Sequence, residues 1–259
     1  MQPAEPLVVF CQPGDRRSAG IQQARSRLGM PPALLIPYTG LLEGQPLADL
    51  LERAVQSQVR NGAPAQSQLE SPGRRSGGHS APGSAAGTPL LRLESPGGSF
   101  TLERALIALG APDAPDADDS LHPFGQQPDL RPLSFKAASA LKELPGVLHH
   151  PSQWFRGYCR LLARLRQEAG QLLPASRWTN DPAEIAAMTD KRRTQQILAE
   201  SGVSVPRPLR GSGGQVPVDY ASLRELMLSQ RMHRVFIKLA SGSAASGVIA
   251  YQLNPATGG

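Results

Sequence analysis

Short apolar runs alternate along this chain with longer segments of helical spacing. Leu7–Cys11 (LVVFC) is a continuous apolar run of strand length, and Ala33–Tyr38 (ALLIPY) is a second. Between them Ile21, Ala24, Arg25 and Leu28 keep helical spacing, and Gly29 supplies a stop. An apolar run, a helical pattern and another apolar run, joined by short links, predict a parallel strand–helix–strand unit. PLADLLERAVQ adds a short amphipathic helix. Further on, Leu90–Leu93 predicts a strand, followed by a Gly-rich turn and a helix from Phe100 to Leu109 that Gly110 and Pro112 close.

Two stretches lack this order. Residues 57–88 are almost entirely Gly, Ser, Pro, Ala, Gln and Arg, too few apolar groups to offset the entropy of ordering, and they read as a disordered insertion. Residues 111–150 have only weak periodicity. SQWFRGYCRLLARLRQEAG then predicts a strong helix with Trp154, Tyr158, Leu161, Leu162 and Leu165 on one face. Arg156, Arg160 and Arg164 run along its flank as a solvated basic edge, and His149 and His150 precede it as surface residues. Asn180 or Asp181 caps a helix begun by Pro182, and Thr189 or Asp190 caps another, with Ile197 and Leu198 inward and Gly202 as its stop. Pro206 and Pro208 impose extended backbone, and Asp219 caps one more short helix. VFIKLASGSAASGVIAY, Val235 to Tyr251, reads as strand, lysine, loop of very small residues, strand. No internal repeat is present.

Composition changes this picture in three places. The 259 residues are 40% apolar, enough for a core, while 26 Gly and 25 Pro require part of the length to be turn-rich. A net charge of +6 is spread along the chain without a nucleic-acid motif, which points to an anionic ligand or a basic surface. An Arg-rich nucleic-acid binder stays as the third-ranked reading, to be recognised by strongly salt-dependent binding. Cys11 and Cys159 are too few for a disulfide framework or a metal cluster. Neither a signal sequence nor an apolar run near the ~18 residues of a membrane span occurs, so a cytoplasmic protein away from membranes is expected.

The chemistry concentrates on lysine. The chain holds four, Lys136, Lys142, Lys191 and Lys238, against an arginine majority. A lysine ahead of exposed N–H groups and Ser hydroxyls suits a polyphosphate, although a flexible hairpin tip has the same composition. Three familiar phosphate signatures do not fit. Gly247 is followed by Val248 and Ile249 rather than Lys-Ser/Thr, Lys238 precedes its glycines, and CQPGDRRSAG lacks the dinucleotide pattern.

The order TDKRRTQQILAESGVSVPRP, then a short helix, then VFIKLASGSAASGV resembles the ATP-grasp superfamily, and WTNDPAEIAAMTDK resembles the approach to that region. DRRSAGIQQARSRLG, LESPGGSFTLERALIALGA and QWFRGYCRLLARL are similar, over about half of the chain, to an uncharacterised bacterial ATP-grasp family. The resemblance implies an α/β protein with three parts. A preATP-grasp-like parallel-sheet domain spans residues 1–150, a connecting helix 151–180, and an α+β ATP-grasp small subdomain 181–259. It places ATP phosphates on Lys191 and Lys238 under a lid of Ser241, Gly242, Ser243, Ser246 and Gly247. It also implies Mg²⁺, whose acidic and Asn ligands, like the adenine and ribose contacts, belong beyond the hairpin. On that resemblance the chain is the front portion of a longer protein, with the C-terminal half missing. The activity implied is an ATP-dependent carboxylate–amine or carboxylate–thiol ligase working through an acyl phosphate, with a small carboxylate and a nucleophile as substrates. The alternative is a non-catalytic binding or scaffold protein on the same fold. No catalytic base is assigned.

Overall fold

A computed structural model describes residues 5–12, 14–60, 88–115, 117–123, 131–242 and 247–254. The chain divides into two compact units, Met1–Ala187 and Met188–Gly259.

The first unit is built on β1 (Leu7–Cys11), β2 (Leu34–Pro37), β3 (Leu90–Leu93) and β4 (Arg177–Trp178), in the order β2-β1-β3-β4 with every pairing parallel. β1 is apolar throughout because both faces of this central strand are covered. Val8 and Phe10 join Leu34, Ile36, Leu91 and Leu93 in the main core, while Leu7, Val9, Cys11 and Ala33 form a smaller cluster on the opposite face with Ile21 of α1 (Arg16–Arg27). α1 is capped by Asp15, whose carboxylate accepts from the Ser18 amide. The apolar stripe expected on α1 is only partly real. Leu28 is 73% exposed, and Arg25 is buried instead, donating to the carbonyls of Pro31 and Glu5.

The main core is closed by α2 (Tyr38–Leu42), α3 (Leu47–Arg60), α4 (Phe100–Leu109) and α6 (Pro151–Leu172), with α5 (Phe135–Ser139) packed through Ala138 against α4. α3 continues to Arg60, so the first four residues of the expected insertion are helical, and its remaining span from 61 to 87 lies outside the described residues. α6 is no connector: Phe155, Tyr158, Cys159, Leu161, Leu162 and Leu165 sit in the core of this unit. Its arginine flank is also not solvated. Arg160 is 5% exposed, forks onto Asp119 at 2.8 and 3.1 Å, and donates to the carbonyls of Leu109 and Ala111, each at 2.8 Å. Arg156 reaches the same carboxylate at 3.0 Å, and Arg164 donates to the carbonyls of Leu41 and Gln45. A helix C-terminus leaves carbonyls without partners, and a guanidinium fork supplies donors to several at once. His149 is half-buried, edge-on to the Phe100 ring at 5.6 Å, where a surface position was expected.

β4 had no counterpart in the periodicity. Two residues long, it is fixed by Trp178 stacking on Phe10 at 5.8 Å and by Asn180, whose amide accepts from Leu93 N–H and donates to Leu93 C=O. Asn180 therefore extends the sheet, and Asp181 caps α7 (Pro182–Thr189) through the Ala183 amide.

The second unit contains α8 (Lys191–Glu200), α9 (Tyr220–Ser229) and the antiparallel hairpin of β5 (Arg234–Ile237) and β6 (Ile249–Gln252). Its core is small: Met227, Val235 and Leu253, with Leu209, Leu223, Met232 and Tyr251 around them. Asp219 and Ser222 form a reciprocal cap at the start of α9. Ile197 and Leu198, expected inward, are each 38% exposed, and no residue of α8 is buried. This helix is held by its first turn rather than by an apolar stripe.

Candidate functional site

The lysine-containing loop leaves β5 directly. Ile237 pairs with Ile249 as the last rung of the ladder, Lys238 follows, and Leu239 and Ala240 lead to Ser241 and Gly242. Gly242 has φ 122° and Gly247 has φ 67°, conformations that favour residues without a Cβ at both ends of the loop. Ser243 and Ser246 lie outside the described residues.

The first turn of α8 meets this loop. Asp190 and Ser241 face each other in an isolated antiparallel bridge, both side chains buried. The Lys191 amide donates to Ala240 C=O at 2.7 Å, and the Lys191 ammonium donates to Gly242 C=O at 2.9 Å. Residues some fifty positions apart in sequence are thus joined at the root of the loop. Burial lowers the Lys191 pKa from its ordinary value and Lys238 lowers it further, while Asp190 opposes the shift.

Lys238 is exposed, and the structure gives its ammonium no ion pair or hydrogen bond among the described residues. A Lys191 ammonium fixed on Gly242 C=O, with Lys238 at the end of β5, is an arrangement of cations suited to a ligand carrying at least two negative charges. The amide groups at the start of α8 are not part of that site, because Asp190 already accepts from Arg192 N–H and Arg193 N–H. The charge around it is one-sided. Residues 188–259 carry nine Lys and Arg against four Asp and Glu, and no acidic residue follows Glu225.

Of the expected contacts, Lys191, Lys238, Ser241 and Gly242 come together at the loop root, and Gly247 stands at the far end of the same loop. Ser241 is buried against Asp190, so it anchors the loop rather than presenting its hydroxyl. Sequence reasoning treated Asp190 as a cap alone and missed its bridge to Ser241. The Asp-Lys pair was visible, but the partner strand was not. Among the described residues no three His, Cys, Asp or Glu side chains converge as a metal site, so no residue is assigned to Mg²⁺. No helix among them is long and apolar enough to cross a membrane. Comparisons of the chain with family models, with curated proteins and with solved structures return no match.

Proposed function

We propose that residues 188–259 bind the polyphosphate of ATP through Lys191 and Lys238, and that the protein is of ATP-grasp type. The activity proposed is that of an ATP-dependent carboxylate–amine or carboxylate–thiol ligase. One observation carries the reading: Lys191 closes by its amide and its ammonium onto Ala240 and Gly242, the segment that Lys238 opens some fifty residues later in the sequence. Bound ATP supplies a phosphoryl group to a carboxylate, and a nucleophile then displaces phosphate from the acyl phosphate. The chain's own part is to hold phosphate charge. Lys191 is oriented by Ala240 and Gly242, and Lys238 approaches from the strand end. Preorganised cations of this kind favour charge that moves during transfer and need no rearrangement when it does.

Titration of ATP against the wild type, Lys191→Ala and Lys238→Ala tests the site. Each variant is expected to lose about 1.5–3 kcal/mol of binding, the range for hydrogen bonds to charged groups. Equal affinities for all three proteins would remove it. Lys238→Arg is expected to bind less well than wild type, because a planar fork does not replace a compact ammonium. Carboxylate-dependent release of phosphate from ATP with Mg²⁺ separates a ligase from a protein that only binds.

A further inference from the structure

We infer that Asp190 is the positioning residue of the phosphate site: its buried carboxylate fixes the first turn of α8 against Ala240–Gly242 and so sets where the Lys191 ammonium stands. The inference rests on the reading of Lys191 as a phosphate contact. Asp190 is 0% exposed, and among the described residues of this unit it is the one buried charged side chain. Burying a carboxylate is unfavourable unless both oxygens are satisfied. Oδ1 accepts from Arg192 N–H at 2.8 Å, Arg193 N–H at 3.3 Å and Arg192 Nε at 3.1 Å, and Oδ2 accepts from Arg192 Nη2 at 2.6 Å.

The consequences run through adjacent atoms. With its carboxylate fixed on Arg192 and Arg193, the Asp190 backbone faces Ser241, and the next amide, that of Lys191, reaches Ala240 C=O. The Lys191 side chain then closes on Gly242 C=O. α8 contributes no buried apolar residue, so this polar junction takes the place of a hydrophobic contact in fixing the helix start. The carboxylate also occupies the positive end of α8, which leaves phosphate to the two lysines rather than to the helix. The charged groups that act on the Lys191 ammonium are Lys238, which disfavours its charge, and Asp190, which favours it and is itself paired with Arg192.

Two variants and three measurements test this in the full chain. Asp190→Asn retains an accepting oxygen for the α8 amides, and Asn caps helices well, but it gives up the ion pair. Asp190→Ala gives up both. ATP affinity, the rate of amine acylation at Lys191 by mass spectrometry with Lys136 and Lys142 as internal references, and amide exchange at Lys191 are followed. Asp190→Asn is expected to lower the melting temperature, because its Nδ2 donor would meet the Arg192 guanidinium, and to lower ATP affinity about tenfold, one charge-assisted contact. It should also label faster at Lys191, because removing a negative neighbour favours the neutral amine. Asp190→Ala is expected to add faster exchange of the Lys191 amide. Wild-type ATP affinity and unchanged Lys191 labelling in Asp190→Asn would overturn the inference, whether or not Asp190→Ala folds. If the wild type binds no ATP while labelling and exchange change as described, the phosphate site falls and the positioning of Lys191 by Asp190 stands.

Discussion

Gly110 and Gly157 mark the point where α4 and α6 touch backbone to backbone. A Cβ built on Gly157 would lie 1.8 Å from Leu106 O, and one on Gly110 would lie 1.9 Å from Gln153 O. Neither carbonyl can move without disturbing its helix. Gly157→Ala is therefore expected to cost about 3 kcal/mol, the upper end of overpacking penalties. Gly170 on the same helix faces open space, so Gly170→Ala is expected to gain about 0.5–1 kcal/mol from helix propensity. Urea midpoints of the two variants should move in opposite directions, and a shared direction would contradict the packing described. Arg160 offers a second test. Burial works against the Asp119 charge, but Arg160 and then Arg156 outweigh it and hold the carboxyl below its ordinary value. A depressed folded-state value means the stabilisation is complete above the unfolded carboxylate range. It is lost as pH falls through the folded value. Wild-type stability should thus decline below about pH 4, and Arg160→Met should show a shallower decline from a level lower by about 3 kcal/mol. Arg160→Lys should not rescue it, since three ammonium donors at a single nitrogen cannot reproduce the four hydrogen bonds that the planar guanidinium makes to Asp119, Leu109 and Ala111.

At the scale of elements, β4 shows how little sequence a strand needs once a neighbour is in place. Asn180 imitates a backbone peptide against Leu93, and Asn180→Asp would retain the accepting oxygen while turning a donor into an acceptor that faces Leu93 C=O. A loss of about 1–3 kcal/mol in denaturant titration is expected, with Asn180→Ala no worse than the charged variant. The same element explains what was legible. β1, β2, β3, α1, α4, α6 and the hairpin announce themselves because period and stop residues act locally. β4 does not, since its stability comes from Phe10 and Leu93, far away in the chain. The arginine row of α6 misled for a related reason. Charge at helical spacing ordinarily means a solvated face, and only the fold places Asp119 and the ends of α2 and α4 opposite it. At the site, Lys238 and the glycines were readable from their order along the chain. The contacts of Lys191 with Ala240 and Gly242, and the role of Asp190 beneath them, depend on a pairing that no local pattern encodes.

Across the whole molecule the two units differ in how their backbones are protected. β1 is buried on both faces, whereas Phe236 and Ile249 in the hairpin are 65% and 58% exposed. Amide exchange should be slowest in β1, β3 and α6 and fastest in β5 and β6, with the hairpin opening before the parallel sheet. Uniform protection across both sheets would contradict this. The uneven distribution of charge matters before any contact is made. The excess of Lys and Arg in residues 188–259 gives that unit a long-range field that draws anions through solution. The Debye length falls from about 30 Å at 0.01 M salt to about 8 Å near 0.15 M, so added salt shortens the distance over which capture begins. If residues 188–259 bind polyphosphate as proposed, stopped-flow mixing should show an association rate that drops steeply with ionic strength, while escape, governed on that proposal by short contacts at Lys191 and Lys238, changes far less.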